Sequence, residues 1–317
     1  MIGQLHVRQR NRLPASEDTV SPYICLDQIT FIQNVLPAIS ELFGKDITKR
    51  KTVLPATPIV PNETPKISAD PSLVRKFQSA VGQLMYVMLA TRPDISYPVG
   101  ILARHASNPS SDHVDALLHL AGYLKNTIDL AIAYRKPKDD DRTPGILEAY
   151  TDADWAGEEH SGRSTTGFVI TKNGSPVCWS SKRQGVVSTS TMELEYIAMF
   201  TTVQHALWIA SLEDQFGTSR YNPHVWCDNK AAIQIATGSE ISFKRSRFMN
   251  VKYHYVREAY ENERITIQWV ESAANVADIF TKRVAHSVLQ SLRNYLLEDH
   301  SRLDEKEDEE DKSSDSQ

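Results

Sequence analysis

Four acidic residues stand where the chain leaves or enters a regular element: Asp152, Glu195, Asp228 and Asp278. Asp152 directly follows a strand pattern over residues 147–151, and Asp228 directly follows another over residues 224–227. Glu195 lies one turn into a long helical pattern, and Asp278 begins a last helix after a short loop. Sheets with crossover connections carry their sites at the carboxyl ends of strands. The four acids therefore meet on one edge if the fourth strand adds beside the first. Converged carboxylates repel one another, and divalent cations remove that conflict. Oxygen ligands without Cys or His partners favour hard ions, magnesium first and manganese second. Two such ions ~3.5–4 Å apart activate a water and stabilise the leaving oxygen of a phosphodiester. This set suits phosphoryl hydrolysis better than acyl or redox chemistry. On spacing alone, each Asp also reads as a turn or helix cap, and both readings stand at this point.

The elements that must position these acids follow from the periodicity. Residues 147–151, 164–171 and 177–181 read as a strand meander, with Lys172-Asn173-Gly174 as the turn of its second hairpin. Residues 190–216 form a long helix, 224–227 a fourth strand, 230–236 a short helix, 250–263 another helix, and 264–270 a fifth strand. Three meander strands followed by two crossovers predict one mixed sheet with helices on its faces. Ser190 and Glu193 fit a capping box at the start of the long helix. That gives Glu193 a structural task and leaves Glu195, on a stripe with Ala198, Met199, Thr202 and Ala206, as the preferred ligand.

Upstream the pattern is helical. An apolar helical repeat runs from Ile29 to Phe43 and ends at Gly44, followed by Pro55, Pro58, Pro61 and Pro65, which read as a connector. Three helical pieces follow, over 72–89, from Arg92-Pro93-Asp94, and from Asn108-Pro109 to about Asn126. Residues 135–145, rich in Lys, Asp, Pro and Gly, read as a linker. The divisions are thus 1–70, a Pro-rich connector region; 71–135, a helical layer; 145–297, the mixed-sheet domain; and 298–317, an acidic tail.

Composition limits the alternatives. The chain has 317 residues with 41% apolar and 24% charged residues, enough to bury large cores. No run approaches the ~20 apolar residues of a membrane span, and the first residues lack the apolar run of a signal peptide. Three cysteines (Cys25, Cys178, Cys227), none in a Cys-x-x-Cys pair, argue against a disulfide scaffold. An intracellular protein, cytoplasmic or nuclear and not secreted, is expected. Residues 298–317 hold ten Asp/Glu against three Lys/Arg, a net of −7 against −5 for the whole chain, so the rest carries +2. The tail reads as a solvated segment or as a competitor for a basic surface.

The motifs around the acids carry a resemblance. Tyr150-Thr151-Asp152-Ala153-Asp154-Trp155-Ala156-Gly157, Arg163-Ser164-Thr165-Thr166-Gly167, Trp179-Ser180-Ser181-Lys182-Arg183-Gln184, Met192-Glu193-Leu194-Glu195-Tyr196-Ile197-Ala198, Cys227-Asp228-Asn229-Lys230-Ala231-Ala232 and Ala277-Asp278-Ile279-Phe280-Thr281-Lys282 occur in this order. Together they resemble the ribonuclease H domain of copia-type long-terminal-repeat retrotransposon Pol polyproteins. The likeness runs more loosely upstream through Val81–Tyr86 and Thr91–Tyr97, where the family has the end of its reverse transcriptase.

The resemblance implies an α/β, ribonuclease H-like mixed five-stranded sheet flanked by helices and preceded by a small helical layer. It implies hydrolysis of the RNA strand of RNA–DNA hybrids with two Mg2+ ions, Mn2+ being possible. Asp152, Glu195, Asp228 and Asp278 stand at the family's catalytic, metal-holding acids, and Asp154 at a secondary acid. Other polyprotein domains, the remaining reverse transcriptase or an integrase, are implied partners. A hybrid is read through its backbone and 2′-hydroxyls. Lys182, Arg183 and Gln184, with Lys244 and Arg245 as a second cluster, are candidate phosphate contacts, or else solvated loop residues. Asn229 is a candidate ribose contact or a helix cap.

The sequence also departs from the family pattern. The Tyr-x-Asp-Asp pair of a polymerase is absent, so a C-terminal part without polymerase activity is expected. Arg247-Phe248-Met249-Asn250 replaces Lys-His-Ile-Asp, and Pro98 is expected to kink the second upstream helix. The alternative is a catalytically inactive or domesticated remnant that binds nucleic acid or protein.

Overall fold

The structure is a computed structural model of the chain, and it describes residues 6–10, 23–61, 69–135, 145–154, 163–185, 190–218, 221–238 and 247–299. Trp155, Lys244, Arg245, residues 136–144 of the linker and the acidic tail beyond Asp299 lie outside the described residues. The chain forms two compact units, residues 1–135 with 294–317 and residues 136–293.

The first unit holds strands β1 (His6–Arg10), β2 (Tyr23–Asp27) and β3 (Leu130–Arg135), paired antiparallel in that order, with the two-residue strand Glu298–Asp299 against β3. Its helices are α1 (Ile29–Phe43), α2 (Pro71–Ala90), α3 (Ser96–Arg104) and α4 (Ser111–Asn126), the last three matching the expected helical layer. The Pro-rich stretch forms no helix or strand among its described residues, yet buries Val53 and Leu54. β2 and β3 were not expected. Tyr23 and Cys25 pack with Ala131 and Ala133 in a small buried cluster. The expected kink at Pro98 is absent as a cause, because Pro98 is the third residue of α3. There its missing N–H is one of four that no helix uses.

The fold of this unit turns on a buried ion pair. Arg92 and Asp94 are both fully buried and joined by two hydrogen bonds of 2.9 and 2.7 Å. Tyr123 donates to the same carboxylate at 2.7 Å, and Arg92 donates to the Thr127 carbonyl at 2.9 Å. These bonds tie the turn before α3 to the end of α4.

The second unit is a five-stranded sheet in the order β6-β5-β4-β7-β8. Its strands are β4 (Leu147–Asp154), β5 (Thr165–Lys172), β6 (Ser175–Arg183), β7 (His224–Cys227) and β8 (Thr266–Trp269). The first three pair antiparallel, and β7 and β8 add in parallel beside β4. Asn173 and Gly174, at φ of 52° and 78°, make the turn between β5 and β6, as their residue types require. The helices are α5 (Thr191–Gln215), α6 (Lys230–Thr237), α7 (Arg247–Glu261) and α8 (His286–Leu296), whose last residues, from Asn294 on, belong to the first unit. One core joins Leu147, Ala149, Phe168, Ile170 and Val225 of the sheet to Tyr196, Met199, Val203, Val256 and Ala259 of α5 and α7.

Several boundaries shift by a few residues from the sequence reading, and two of the shifts bear on the acids. β4 continues through Asp154, so Asp152 lies within the strand and pairs with Gly167 rather than following it. Asp278 sits in a 3-10 turn, Val276–Phe280, and the last helix starts only at His286. The turn lies against the sheet because Gly167 has no side chain. A Cβ there would come within 2.5 Å of Thr281 Cγ2 and 2.7 Å of Phe280 Cβ. Gly167→Ala is therefore expected to destabilise this unit by ~1–3 kcal/mol, read as a lower urea midpoint. An unchanged midpoint would mean that the turn does not rest on β5.

Candidate metal centre

Each acid is placed by a different local device. Asp152 is fixed by register within β4, next to Thr151, which pairs with Cys227 of β7. Thr281 Oγ1 donates to Asp152 Oδ2. Asp228 follows β7 directly, its Oδ2 accepting from Ser272 Oγ at 2.7 Å and its carbonyl from Trp269 Nε1 at 3.2 Å. Glu195 is carried by α5, whose N-terminus is capped by Ser190 accepting from the Glu193 N–H at 3.2 Å. Ala153 packs against Leu194 and Ala198, so small side chains let α5 approach the strand closely. Asp278 is held by Asn275, whose side chain accepts from Ala277 N at 3.1 Å and donates to the Thr151 carbonyl at 3.1 Å. That residue pins the turn to the strand that carries Asp152.

The four carboxylates meet. Oxygens of Asp152, Asp228 and Asp278 lie within 4.8 Å of one another, and Glu195, Cys227 and Asp228 offer ligand atoms within the same limit. Asp152, Glu195 and Asp278 are buried, while Asp228 is half-buried. Glu193 is half-buried and belongs to neither group. Asp154, also half-buried at the strand end, is raised above the usual carboxylate range by burial and by Asp152.

Burial and like charge raise two of the acids. Burial, then Asp152 and Asp228, push Glu195 up to about 9. Burial and Asp152 push Asp278 up to about 7 against the pull of Lys282. Glu195 Oε2 and Asp228 Oδ1 are buried oxygens without a hydrogen-bond partner. Partnerless buried acceptors facing like charges are the arrangement that a bound cation satisfies. The residues therefore fit hard divalent cations.

The other candidates separate. Lys182 and Arg183 are exposed at the end of β6. Gln184 is buried, and its amide donates to Thr166 Oγ1 at 3.0 Å and to the Leu194 carbonyl at 3.1 Å, clasping β5 to α5. Asn229 caps α6, accepting from Ala232 N at 3.0 Å. His205 packs on Phe168, with ring centroids 4.7 Å apart. Sequence reasoning passed over Ser272, Asn275, Thr281 and Lys282. Lys282 lies 2.7 Å from Asp278 Oδ1 and 3.6 Å from Asp152 Oδ2. Its spacing of four residues from Asp278 was the available signal.

The sheet order and these carboxylates define a mixed α/β domain with an acidic centre beside its central strands. The chain belongs to the family of copia-type retrotransposon Pol polyproteins. It is 34% identical over 208 residues to the Pol polyprotein from transposon TNT 1-94 of Nicotiana tabacum, covering 66% of this chain and 15% of the relative. It is 30% identical over 274 residues to that from transposon RE1 of Arabidopsis thaliana, covering 84% of this chain and 17% of the relative. The chain thus spans about a sixth of the length of these relatives. A solved ribonuclease H1 isolated from compost by a metagenomic approach aligns with 46% of this chain and 97% of its own, at 15% identity and a TM-score of 0.33. No protein-family model matches the chain. Among the described residues no helix is long and apolar enough to cross a membrane.

The raised carboxyls set a pH dependence. A folded-state pKa above the unfolded one means that the folded state holds more protons, so stability is full below the unfolded value and falls as pH rises. For Glu195 the window runs from 4.5 to about 9, and for Asp278 from 3.8 to about 7. In chelator, the melting temperature is expected to fall between pH 5 and pH 9. Millimolar Mg2+ should raise it more at pH 9 than at pH 5. An Mg2+ effect equal at both pH values would show that the ion does not bind these carboxylates.

Proposed function

We propose that the 145–297 region is a metal-dependent endonuclease of the ribonuclease H type, hydrolysing the RNA strand of RNA–DNA hybrids in retrotransposon replication. The observation that carries this reading is the meeting of Asp152, Glu195, Asp228 and Asp278 from four separate elements. Carboxylate oxygens, two of them buried and without hydrogen-bond partners, match Mg2+ or Mn2+, while burial pushes the Cys227 thiol beside them up and keeps it protonated. Bound there, a pair of such ions supplies an activated water and a stabilised leaving oxygen.

In this reading the chain's own part is to hold and orient. Asp152 and Asp228 come from neighbouring parallel strands and set the span of the centre. Glu195 closes it from the helix side and Asp278 from the turn. Lys182 and Arg183, exposed on β6, take backbone phosphates of the hybrid, with Lys244 and Arg245 as a second contact. Asn229 faces a ribose while capping α6. Residues 1–70 are a remnant of a reverse-transcriptase C-terminal region, and residues 71–135 resemble a thumb or connection layer. Neither polymerises in this reading. The natural partners are the hybrid and the remaining domains of a polyprotein, within the cell.

The test is cleavage of an end-labelled RNA–DNA hybrid in Mg2+. The expected product is a shortened RNA with the DNA strand intact. Loss of residues that merely support a metal ligand costs ~10–100-fold. Asp152→Asn and Asp228→Asn should therefore each cost at least that much in rate while leaving the thermal melt cooperative. Cleavage unaffected by both changes would remove the site assignment. Salt-dependent hybrid binding without cleavage by the unaltered chain would leave only a nucleic-acid-binding remnant.

A further inference from the structure

Lys282 is the cation already seated on the acids. Its ammonium contacts Asp278 Oδ1 at 2.7 Å and Asp152 Oδ2 at 3.6 Å, oxygens of two of the proposed metal ligands. The side chain is 37% exposed, whereas those of Asp152 and Asp278 are 4% and 11% exposed, so it approaches the carboxylates from the solvent side. Its position is not incidental to the turn. Lys282 N donates to the Asp278 carbonyl at 3.1 Å, and Thr281, one residue earlier, bonds Asp152.

An ammonium and a divalent ion on the same two carboxylates repel each other at close range. Either the lysine withdraws when the ion enters, or its positive charge raises the cost of entry. Lysine suits withdrawal, because its charge sits on a flexible four-carbon stem and hydrates readily.

We propose that Lys282 is a positioning residue that acts as a displaceable internal cation. It draws Asp152 and Asp278 together, competes with the divalent ion for them, and must swing outward for the centre to load. The inference rests on the metal-dependent reading of the site. It adds that metal affinity is set below what the four carboxylates alone would give.

Mn2+ titration followed by the electron paramagnetic resonance signal of free Mn2+ tests this without turnover or nucleic acid. The full chain, Lys282→Met, Lys282→Gln, Lys282→Arg and Asp228→Asn are compared, each checked for a cooperative melt. Coupling between two binding events is typically ~5–150-fold. Lys282→Met and Lys282→Gln are expected to bind Mn2+ at least about fivefold tighter than the unaltered chain. Lys282→Arg, which keeps the charge, is expected to stay within about twofold. A purely structural ion pair would predict weaker binding in both neutral variants, through loss of the arrangement. Equal or weaker Mn2+ binding by Met and Gln, with binding lost in Asp228→Asn, overturns the role of Lys282 and leaves the metal reading standing. Mn2+ binding that Asp228→Asn leaves intact, or that is absent from the unaltered chain, overturns both.

Discussion

Mutual repulsion among buried carboxylates is the constraint on which the second unit is organised. Asp152, Glu195 and Asp278 are buried, and two sets of ligand atoms, Asp152 with Asp278 and Glu195 with Cys227, each meet at Asp228. Nothing about folding alone favours such a cluster, since each added negative charge raises the cost of ionising the others. The apolar core must hold the elements together against it. Tyr196, Met199 and Val203 of α5 pack on Phe168, Ile170 and Val225 of the sheet, and this anchors the helix that brings Glu195 in. The site is thus a point where like charges are held together at a cost in stability.

The supporting residues are arranged to keep the acids apart from one another's freedom rather than from one another. Asn275 ties the turn of Asp278 to the β4 backbone, Ser272 orients Asp228, and Thr281 orients Asp152. Gly167 leaves the room in which the turn lies flat on β5. Three of these four come from a stretch of ten residues, 272–281, that follows β8. The stretch lacks long secondary structure, and its order comes from side-chain bonds to the sheet.

Legibility differed between the two units for a physical reason. The meander of β4, β5 and β6 was readable because Asn173-Gly174 dictates a tight turn and its flanks alternate. Connection rules allowed β7 to add beside β4 without requiring it, and the register shows that it does. In the first unit, β2 and β3 escaped notice. They are five and six residues long and more than a hundred residues apart, and their pairing leaves no local mark beyond the alternation of Tyr23, Cys25 and Asp27. Pro98 misled because a rule for helix interiors was applied to a residue in the first turn, a boundary that the sequence did not fix to the necessary residue.

The types and order of the acids were set down in the sequence, as was the Ser190 cap that starts the helix carrying Glu195. The sheet, its hairpin and its crossover order also follow from local patterns and connection rules, which depend on short-range sterics. Tertiary structure alone decided that Asp152 lies within its strand, that Asp278 rides on a short 3-10 helix ahead of the last α-helix, and that Gln184 is buried as a clasp. It also decided that Lys282 sits among the acids. Those outcomes depend on distances between elements separated by up to about 130 residues, which no local pattern encodes, because electrostatics and close packing act through space and not along the chain.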